Sequence, residues 1–80
     1  MTLSDAVKQR IIDLANSKDM SLHKLSLRAG LAYSTLSSFV NGKCKSPKVV
    51  TILHICEGLD IELKDFFDDK LFFEVKDEEN

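Results

Sequence analysis

The 80-residue sequence predicts an all-α domain built from five short helices. Three observations support this fold class. Apolar residues recur three and four positions apart along most of the chain, which is typical of amphipathic helices. Gly, Asn, Ser and Pro residues stand where these segments would begin or end. The chain is also long enough for one modest core, and its 44% apolar and 30% charged residues are ordinary for a globular domain.

The predicted helices follow one another with short breaks. They are expected at residues 3–17, 22–29, 33–41, 47–59 and 63–68. Their apolar stripes supply the predicted core, to which the fourth helix contributes in some combination: Val7, Ile11, Leu14, Leu36, Phe39, Val40, Val49, Ile52, Leu53, Cys56 and Leu59.

Residues with special backbone or capping preferences mark the predicted helix ends. The candidate N-caps are Thr2 or Ser4, Ser21 and Ser46. Gly30 suits the left-handed position that commonly ends a helix. Asn41 and Gly42 both tolerate positive φ and should end the third helix. Pro47 is expected at the first position of the fourth helix, because its missing N–H costs nothing there.

Charge is distributed unevenly along the chain. Residues 1–56 carry eight Lys and Arg against three acids, a net charge of +5. Residues 57–80 carry ten acids against three Lys, a net charge of −7. The overall charge of −2 therefore conceals a basic part that could meet a polyanion and an acidic part that would avoid it.

The sequence supports neither a membrane protein nor an enzyme. No run is long enough to cross a bilayer, and the N-terminus lacks a secretory apolar region, so we expect a cytoplasmic protein. Cys44 and Cys56 have no framework spacing that would indicate disulfides. His54 and Cys56 would lie about 200° apart on a helix and could not share a metal ion. No catalytic, metal or cofactor motif is present, so neither a cofactor nor enzymatic activity is expected.

Residues 22–41 have the organisation of a helix-turn-helix, with the turn at Ala29-Gly30-Leu31-Ala32. In this motif the first helix crosses a phosphate backbone and the second enters a groove. Anchoring the second helix through its apolar residues would leave five side chains facing outward: Tyr33, Ser34, Ser37, Ser38 and Asn41. Short polar groups that both donate and accept can reach base edges. The alternative is a solvated helix face, with Tyr33 partly covering the core.

Several short motifs occur in a specific order over about residues 7–67. They are L-S-x-R-A-G-L, S-T-L-S, N-G-K, S-P, T-I-L-x-I-C-x-x-L and D-I-E-L-K-D-F-F. Through them the chain resembles the Cro/repressor-type (XRE-type) helix-turn-helix family. The resemblance implies a five-helix DNA-binding domain that usually acts as a dimer on a palindromic operator.

The resemblance also implies roles by position. Base contacts are expected from Tyr33, Ser34, Ser37 and Ser38. Phosphate contacts are expected from Thr35, Asn41, Gly42, Lys43 and Lys45, with Lys24 and Arg28 of the second helix as further candidates. A solvated, solubilising face is the alternative for these cations. The chain departs from the family's usual residues at Leu22 and Tyr33 (both usually Gln), Ala32 (commonly Ser) and Ser38 (often Arg or Gln).

The C-terminal stretch FFDDKLFFEV holds four of the five Phe residues. Phe66 and Phe67 are expected to close the core. Leu71, Phe72 and Phe73 could either wrap back over the first and fifth helices or form a dimer contact, because exposed apolar patches tend to mark interfaces. The DNA-binding domain is therefore predicted at residues 1–69, followed by an acidic extension at residues 70–80.

Taken together, the sequence predicts a small prokaryotic or phage transcriptional regulator, most simply a repressor. It would bind a double-stranded DNA operator as a homodimer in the cytoplasm, associated with the nucleoid. The alternative is a protein-interaction or antitoxin-like module that uses the same fold and contacts a protein partner through its acidic, Phe-rich end.

Overall fold

The computed structural model describes residues 2–43, 47–73 and 75. These residues form α1 (Leu3–Ser17), α2 (Leu22–Ala29), α3 (Tyr33–Val40), α4 (Val49–Leu59), α5 (Leu63–Phe67) and a 3-10 helix (Lys70–Phe72). The prediction of an all-α, five-helix domain is confirmed, and each helix boundary lies within two residues of the predicted one.

Side-chain caps start the first two helices as predicted. The hydroxyl of Thr2 accepts a hydrogen bond of 3.2 Å from the backbone N–H of Asp5. The hydroxyl of Ser21 accepts one of 3.1 Å from the backbone N–H of Lys24. Each bond satisfies an N–H that has no partner within the helix, which sets where the helix begins.

The end of α2 is a left-handed turn at Gly30, where φ is +70°. The N–H of Leu31 donates to the carbonyl of Ser26, and the N–H of Gly30 donates to that of Leu27. Together these bonds close the last turn of α2 in the Schellman pattern. They fix the path of the chain through the three residues that separate α2 from α3.

The start of α4 differs from the prediction. The helix begins at Val49 with Lys48 as its N-cap, so Pro47 precedes the helix instead of occupying its first position. Ser46, the predicted cap, lies outside the described residues. A proline φ of about −65° fits an extended approach as well as a first helical turn, which is why Pro47 could not locate the boundary.

The core lies where α1, α2, α4 and α5 meet, and α3 packs against it through Leu36 and Phe39. Its buried members are Val7, Ile11, Ala15, Leu25, Leu36, Ile52, Ile55, Cys56, Leu59 and Phe66. Val49 and Leu53, two of the predicted core residues, are exposed, and Ile55 is fully buried instead. Because α4 is apolar at most positions, the spacing of its apolar residues did not predict which side of the helix faces the core. Packing against α2 determines that side.

Helices α2 and α4 approach each other closely at Gly58. A Cβ atom placed there would lie 2.9 Å from the backbone nitrogen of Ala29. At the same place, Nε of Arg28 donates a 2.9 Å hydrogen bond to the carbonyl of Gly58. The end of α2, the first helix of the helix-turn-helix, therefore contacts the C-terminal end of α4 through close backbone packing and through the Arg28 hydrogen bond.

Arg10 connects α1 to the C-terminal part of the chain. Its Nε and Nη2 donate 2.7 Å hydrogen bonds to the carbonyls of Phe66 and Asp65, and Nη1 forms a 3.0 Å salt bridge to Asp69. The last carbonyls of a helix are partly negative and otherwise lack partners, so a guanidinium is well placed there. Arg10 therefore stabilises the contact between α1 and the end of α5, although by sequence it belongs to the basic part of the chain.

The aromatic cluster after α4 is partly core. The ring of Phe72 lies 5.1 Å from that of Phe67 and 6.3 Å from that of Phe66, centroid to centroid. Leu71 is half-buried, whereas Phe73 is 83% exposed. Of the two predicted alternatives, folding back onto the domain therefore applies to Phe72, whereas Phe73 remains on the surface. The division of the chain at residue 70 stays a prediction, and most of the acidic tail lies outside the described residues.

Candidate nucleic-acid interface

The helix-turn-helix is formed by α2 and α3, which are separated only by residues 30–32. Leu25 and Ala29 hold α2 against the core, and Leu36 and Phe39 hold α3. Since these anchors occupy one side of each helix, the opposite sides face outward together. Two adjacent helices with a common outer surface suit binding to duplex DNA, because one can lie across the phosphate backbone while the other enters a groove.

The predicted base-contacting residues lie along the first six residues of α3. Tyr33 is 48% exposed and Ser34 is also exposed, whereas Ser37 and Ser38 are half-buried. None of these side chains carries a charge, so the surface would distinguish bases by hydrogen bonding and by apolar contact.

Two hydrogen bonds on α3 give its serines different chemical characters. The hydroxyl of Ser38 donates to the carbonyl of Ser34 at 2.8 Å, and the amide of Asn41 donates to the hydroxyl of Ser37 at 2.9 Å. A hydroxyl has one proton and two lone pairs. Ser38 therefore presents an acceptor to a ligand, whereas Ser37 keeps its proton and can donate.

The predicted phosphate-contacting residues within the described part of the chain are all exposed: Lys24, Arg28, Thr35, Asn41, Gly42 and Lys43. Lys45 lies outside the described residues. Gly42 adopts a φ of +77°, and the N–H of Lys43 donates to the carbonyl of Ser38, which closes the end of α3. The backbone of Lys43 is thereby held at the C-terminal end of α3, and its side chain is exposed there.

Two positions that depart from the family's usual residues have clear structural consequences. Ala32 is the N-cap of α3 and makes no side-chain cap hydrogen bond. Leu22 is half-buried and packs against the core, so it serves the fold at a position where a polar residue would face DNA.

His23 is a member of this surface that the sequence did not identify. Its ring centroid lies 5.4 Å from that of Tyr33, with the ring planes inclined by 39°. The contact crosses the turn between α2 and α3, and helical periodicity relates residues only within one helix. Sequence spacing therefore contained no signal for it.

Neither a metal centre nor a membrane span is found in the described part of the chain. No three His, Cys, Asp or Glu side chains there are placed to share a metal ion. Likewise, none of its helices is both long and apolar enough to cross a bilayer. Cys56 is buried in the core, and Cys44 lies outside the described residues.

A helical domain that exposes an uncharged polar helix between flanking cations, next to a helix that can lie along a phosphate backbone, defines a small DNA-binding domain. Residues 10–70 match the Cro/C1-type HTH DNA-binding domain, and the chain belongs to that family. The resemblance drawn from the sequence is thus confirmed, and with it the assignment of the helix-turn-helix as a DNA-binding element.

A solved structure, that of the prophage Lp1 protein 11, is similar to this chain throughout. The two share 29% sequence identity and superpose with a TM-score of 0.81, covering 94% of this chain and 99% of that one. No curated protein sequence matches this chain significantly.

Proposed function

We propose that this protein is a small prokaryotic or phage transcriptional regulator that binds a specific duplex operator through α3 and represses transcription by occupying it. The observation that carries the proposal is the uncharged polar face of α3 next to exposed lysines. The similarity of the chain to a prophage protein supports a phage or prokaryotic origin. In this proposal the protein acts in the cytoplasm, on the DNA of the nucleoid.

Affinity and sequence choice come from different residues in this proposal. Lys24 and Lys43 contribute affinity by releasing counterions from the phosphates, with no preference among sequences. Ser38 accepts from the exocyclic amino group of adenine or cytosine, and Ser37 donates to a purine N7, guanine O6 or thymine O4. Tyr33 adds apolar contact with a thymine methyl.

We further propose that the protein binds as a homodimer. Two α3 helices would then lie about 34 Å apart to reach successive major grooves. A monomer measuring 36 × 24 × 20 Å allows this spacing for two copies in contact. Among Leu71, Phe72 and Phe73, Phe73 is the exposed side chain and the strongest candidate for the contact. The exposed Val49 and Leu53 of α4 offer a competing apolar surface.

The dimer contact is tested by sedimentation of two matched variants. Phe73→Glu should lower the weight-average mass toward that of a monomer, whereas Val49→Glu should leave it unchanged. A monomeric Val49→Glu protein with a dimeric Phe73→Glu protein would reassign the interface to α4. A monomeric wild-type protein that still binds its operator would refute the homodimer.

DNA binding is tested by selecting duplexes from a random-sequence pool with the wild-type protein, then measuring fluorescence anisotropy over a salt series. The expected result is enrichment of a palindrome with half-sites about one turn apart. Tyr33→Ala and Ser38→Ala should relax the sequence preference, whereas Lys43→Ala should weaken all duplexes alike. Absence of binding to every duplex even at low salt would refute the proposal. If the protein also co-purified with a protein partner in a complex free of DNA, the interaction module would be favoured instead.

A further inference from the structure

The His23–Tyr33 pair joins the two helices of the helix-turn-helix at their outer surface. The separation of 5.4 Å between ring centroids falls within the favourable range for aromatic pairs, and the inclination of 39° avoids a face-to-face sandwich. Tyr33 nevertheless remains 48% exposed. The contact therefore brings the two rings together while about half of the Tyr33 side chain stays exposed.

The backbone of His23 is itself held by the core. Ser26 is the one polar residue found buried in the described part of the chain, and its hydroxyl donates a 2.6 Å hydrogen bond to the carbonyl of His23. The carbonyl of Ser26 in turn accepts from Leu31 in the turn that leads to Tyr33. Hydrogen bonds of Ser26 thus hold both the backbone of His23 and the turn that leads to Tyr33.

We infer that His23 is a positioning residue for DNA recognition: it holds the Tyr33 ring in one orientation, so that α2 and α3 present a prearranged aromatic surface to the groove. An exposed tyrosine that moves freely must be immobilised when DNA binds, and this opposes binding. A ring already held by His23 loses less freedom. The inference rests on the proposed function, because it assigns His23 a role in reading the same DNA.

The orientation of Tyr33 can be measured without DNA, because Tyr33 is the only tyrosine and the chain contains no tryptophan. Time-resolved anisotropy of tyrosine fluorescence should show faster local depolarisation in His23→Ala than in the wild-type protein. His23→Phe keeps an aromatic ring at this position and should restore the slower motion. Equal depolarisation in wild type and His23→Ala would overturn the positioning role.

The consequence for recognition is measured with a duplex enriched by the wild-type protein and a scrambled duplex of the same composition. His23→Ala should weaken binding to the enriched duplex about three- to tenfold, the cost expected for immobilising one side chain. Binding to the scrambled duplex should not change. His23→Phe should recover most of the discrimination, and Lys24→Ala, the adjacent control, should weaken binding to both duplexes equally.

A double-mutant cycle separates positioning from direct contact. If His23 acts through Tyr33, adding His23→Ala to a Tyr33→Ala protein should have little further effect on the enriched duplex. Additive losses would mean that His23 contacts DNA itself and would overturn the inference. Specific binding that His23→Ala leaves intact overturns the inference alone, whereas a wild-type protein that binds no duplex at low salt overturns the proposed function with it.

Discussion

At the residue scale, single side chains decide how closely the helices approach and which groups are shielded from water. Gly58 allows α4 to lie against Ala29 of α2, and Cys56 fills the core as a small apolar group. The burial of Cys56 follows from its position on the apolar stripe of α4 and was predicted. The need for glycine at residue 58 depends on a neighbour 29 positions earlier and could not be read from the local sequence.

Gly58→Ala should destabilise the fold by about 1–3 kcal/mol, the usual cost of overpacking. Its Cβ would lie 2.9 Å from a backbone atom of Ala29, which cannot turn aside as a flexible side chain could. Denaturant unfolding followed by circular dichroism measures the change. Glu57→Ala, on the same helix but exposed, is the control and should be nearly neutral. Equal midpoints for Gly58→Ala and the wild-type protein would show that α2 and α4 can separate at no cost.

The Cys56 thiol should make stability fall in alkaline solution. Burial raises the pKa of the thiol above its ordinary value of 9.0, an effect that the positive charge of Arg10 partly offsets. The unfolded chain then loses this proton at lower pH than the folded chain does. The contribution of the neutral thiol is therefore complete below pH 9.0 and is lost as the pH rises toward the folded-state pKa.

This effect is measured as the free energy of unfolding from pH 7 to 10 in a Cys44→Ser background, which leaves Cys56 as the only thiol. Adding Cys56→Ala supplies the control, because it removes the thiol and leaves every other titrating group in place. The stability difference between the two proteins should be constant at neutral pH and shrink above the ordinary thiol pKa. A constant difference over the whole range would show that Cys56 ionises equally in both states.

At the element scale, the helix ends show which boundaries are encoded locally. Thr2, Ser21 and Gly30 act through neighbours within five residues, and all three perform their predicted roles. The start of α4 was placed two residues too early because Pro47 is compatible with both conformations. The N-terminus of α3 is a different case, since Ala32 leaves it without a side-chain cap.

Ala32→Ser should stabilise the protein by about 1 kcal/mol, because the residue already has the extended backbone of an N-cap, with φ −64° and ψ 140°. Ser21→Ala removes an existing cap and should cost a similar amount. Thermal and denaturant unfolding of the two single variants should thus show opposite shifts. A destabilised Ala32→Ser protein would mean that a serine hydroxyl cannot accept from the first N–H groups of α3.

The connection from Arg10 to the end of α5 should contribute more through its carbonyl contacts than through its salt bridge. Arg10→Ala removes the bond to the carbonyl of Phe66 and one of the two donors to the carbonyl of Asp65, which keeps the N–H of Asp68, and it should cost about 1–3 kcal/mol. Asp69→Asn can keep the oxygen that accepts from the N–H of Leu71 but loses the charge that faces Nη1, and it should cost less than Arg10→Ala because two of the three Arg10 contacts remain. Urea unfolding compares the two variants. A larger loss for Asp69→Asn would assign the stabilisation to the ion pair.

At the scale of the whole molecule, the positive charges of the chain have different roles: some make contacts within the fold, and others are exposed to solvent. Arg10 binds the end of α5, and Arg28 bonds to Gly58, so both guanidinium groups make contacts within the fold, whereas Lys24 and Lys43 are exposed cations of the proposed interface. The acids of residues 57–80 lie beyond the helix-turn-helix along the chain. The charge asymmetry was visible in the sequence, but the sequence did not show which cations the fold itself uses.

Lys43→Ala should reduce the magnitude of the slope of log K against log salt by about 0.9, the value for one lost phosphate contact. The sequence preference should remain, because Lys43 is proposed to contact phosphate only. Lys64→Ala is the matched control, since Lys64 is exposed on α5 and pairs with Glu62 at 3.4 Å. Anisotropy titrations at four salt concentrations give both slopes, and equal slopes for the two variants would remove Lys43 from the interface.

The amino-acid sequence alone was sufficient to predict the five helices, the N-caps of α1 and α2, the helix-turn-helix and the family. These features depend on periodicity, on capping within a few residues and on an ordered set of motifs. Tertiary packing decided that Ile55 is buried while Val49 and Leu53 are exposed, that Arg10 serves the fold, and that His23 meets Tyr33. These contacts join residues from different helices, and a linear pattern of residue types does not specify which helix faces which.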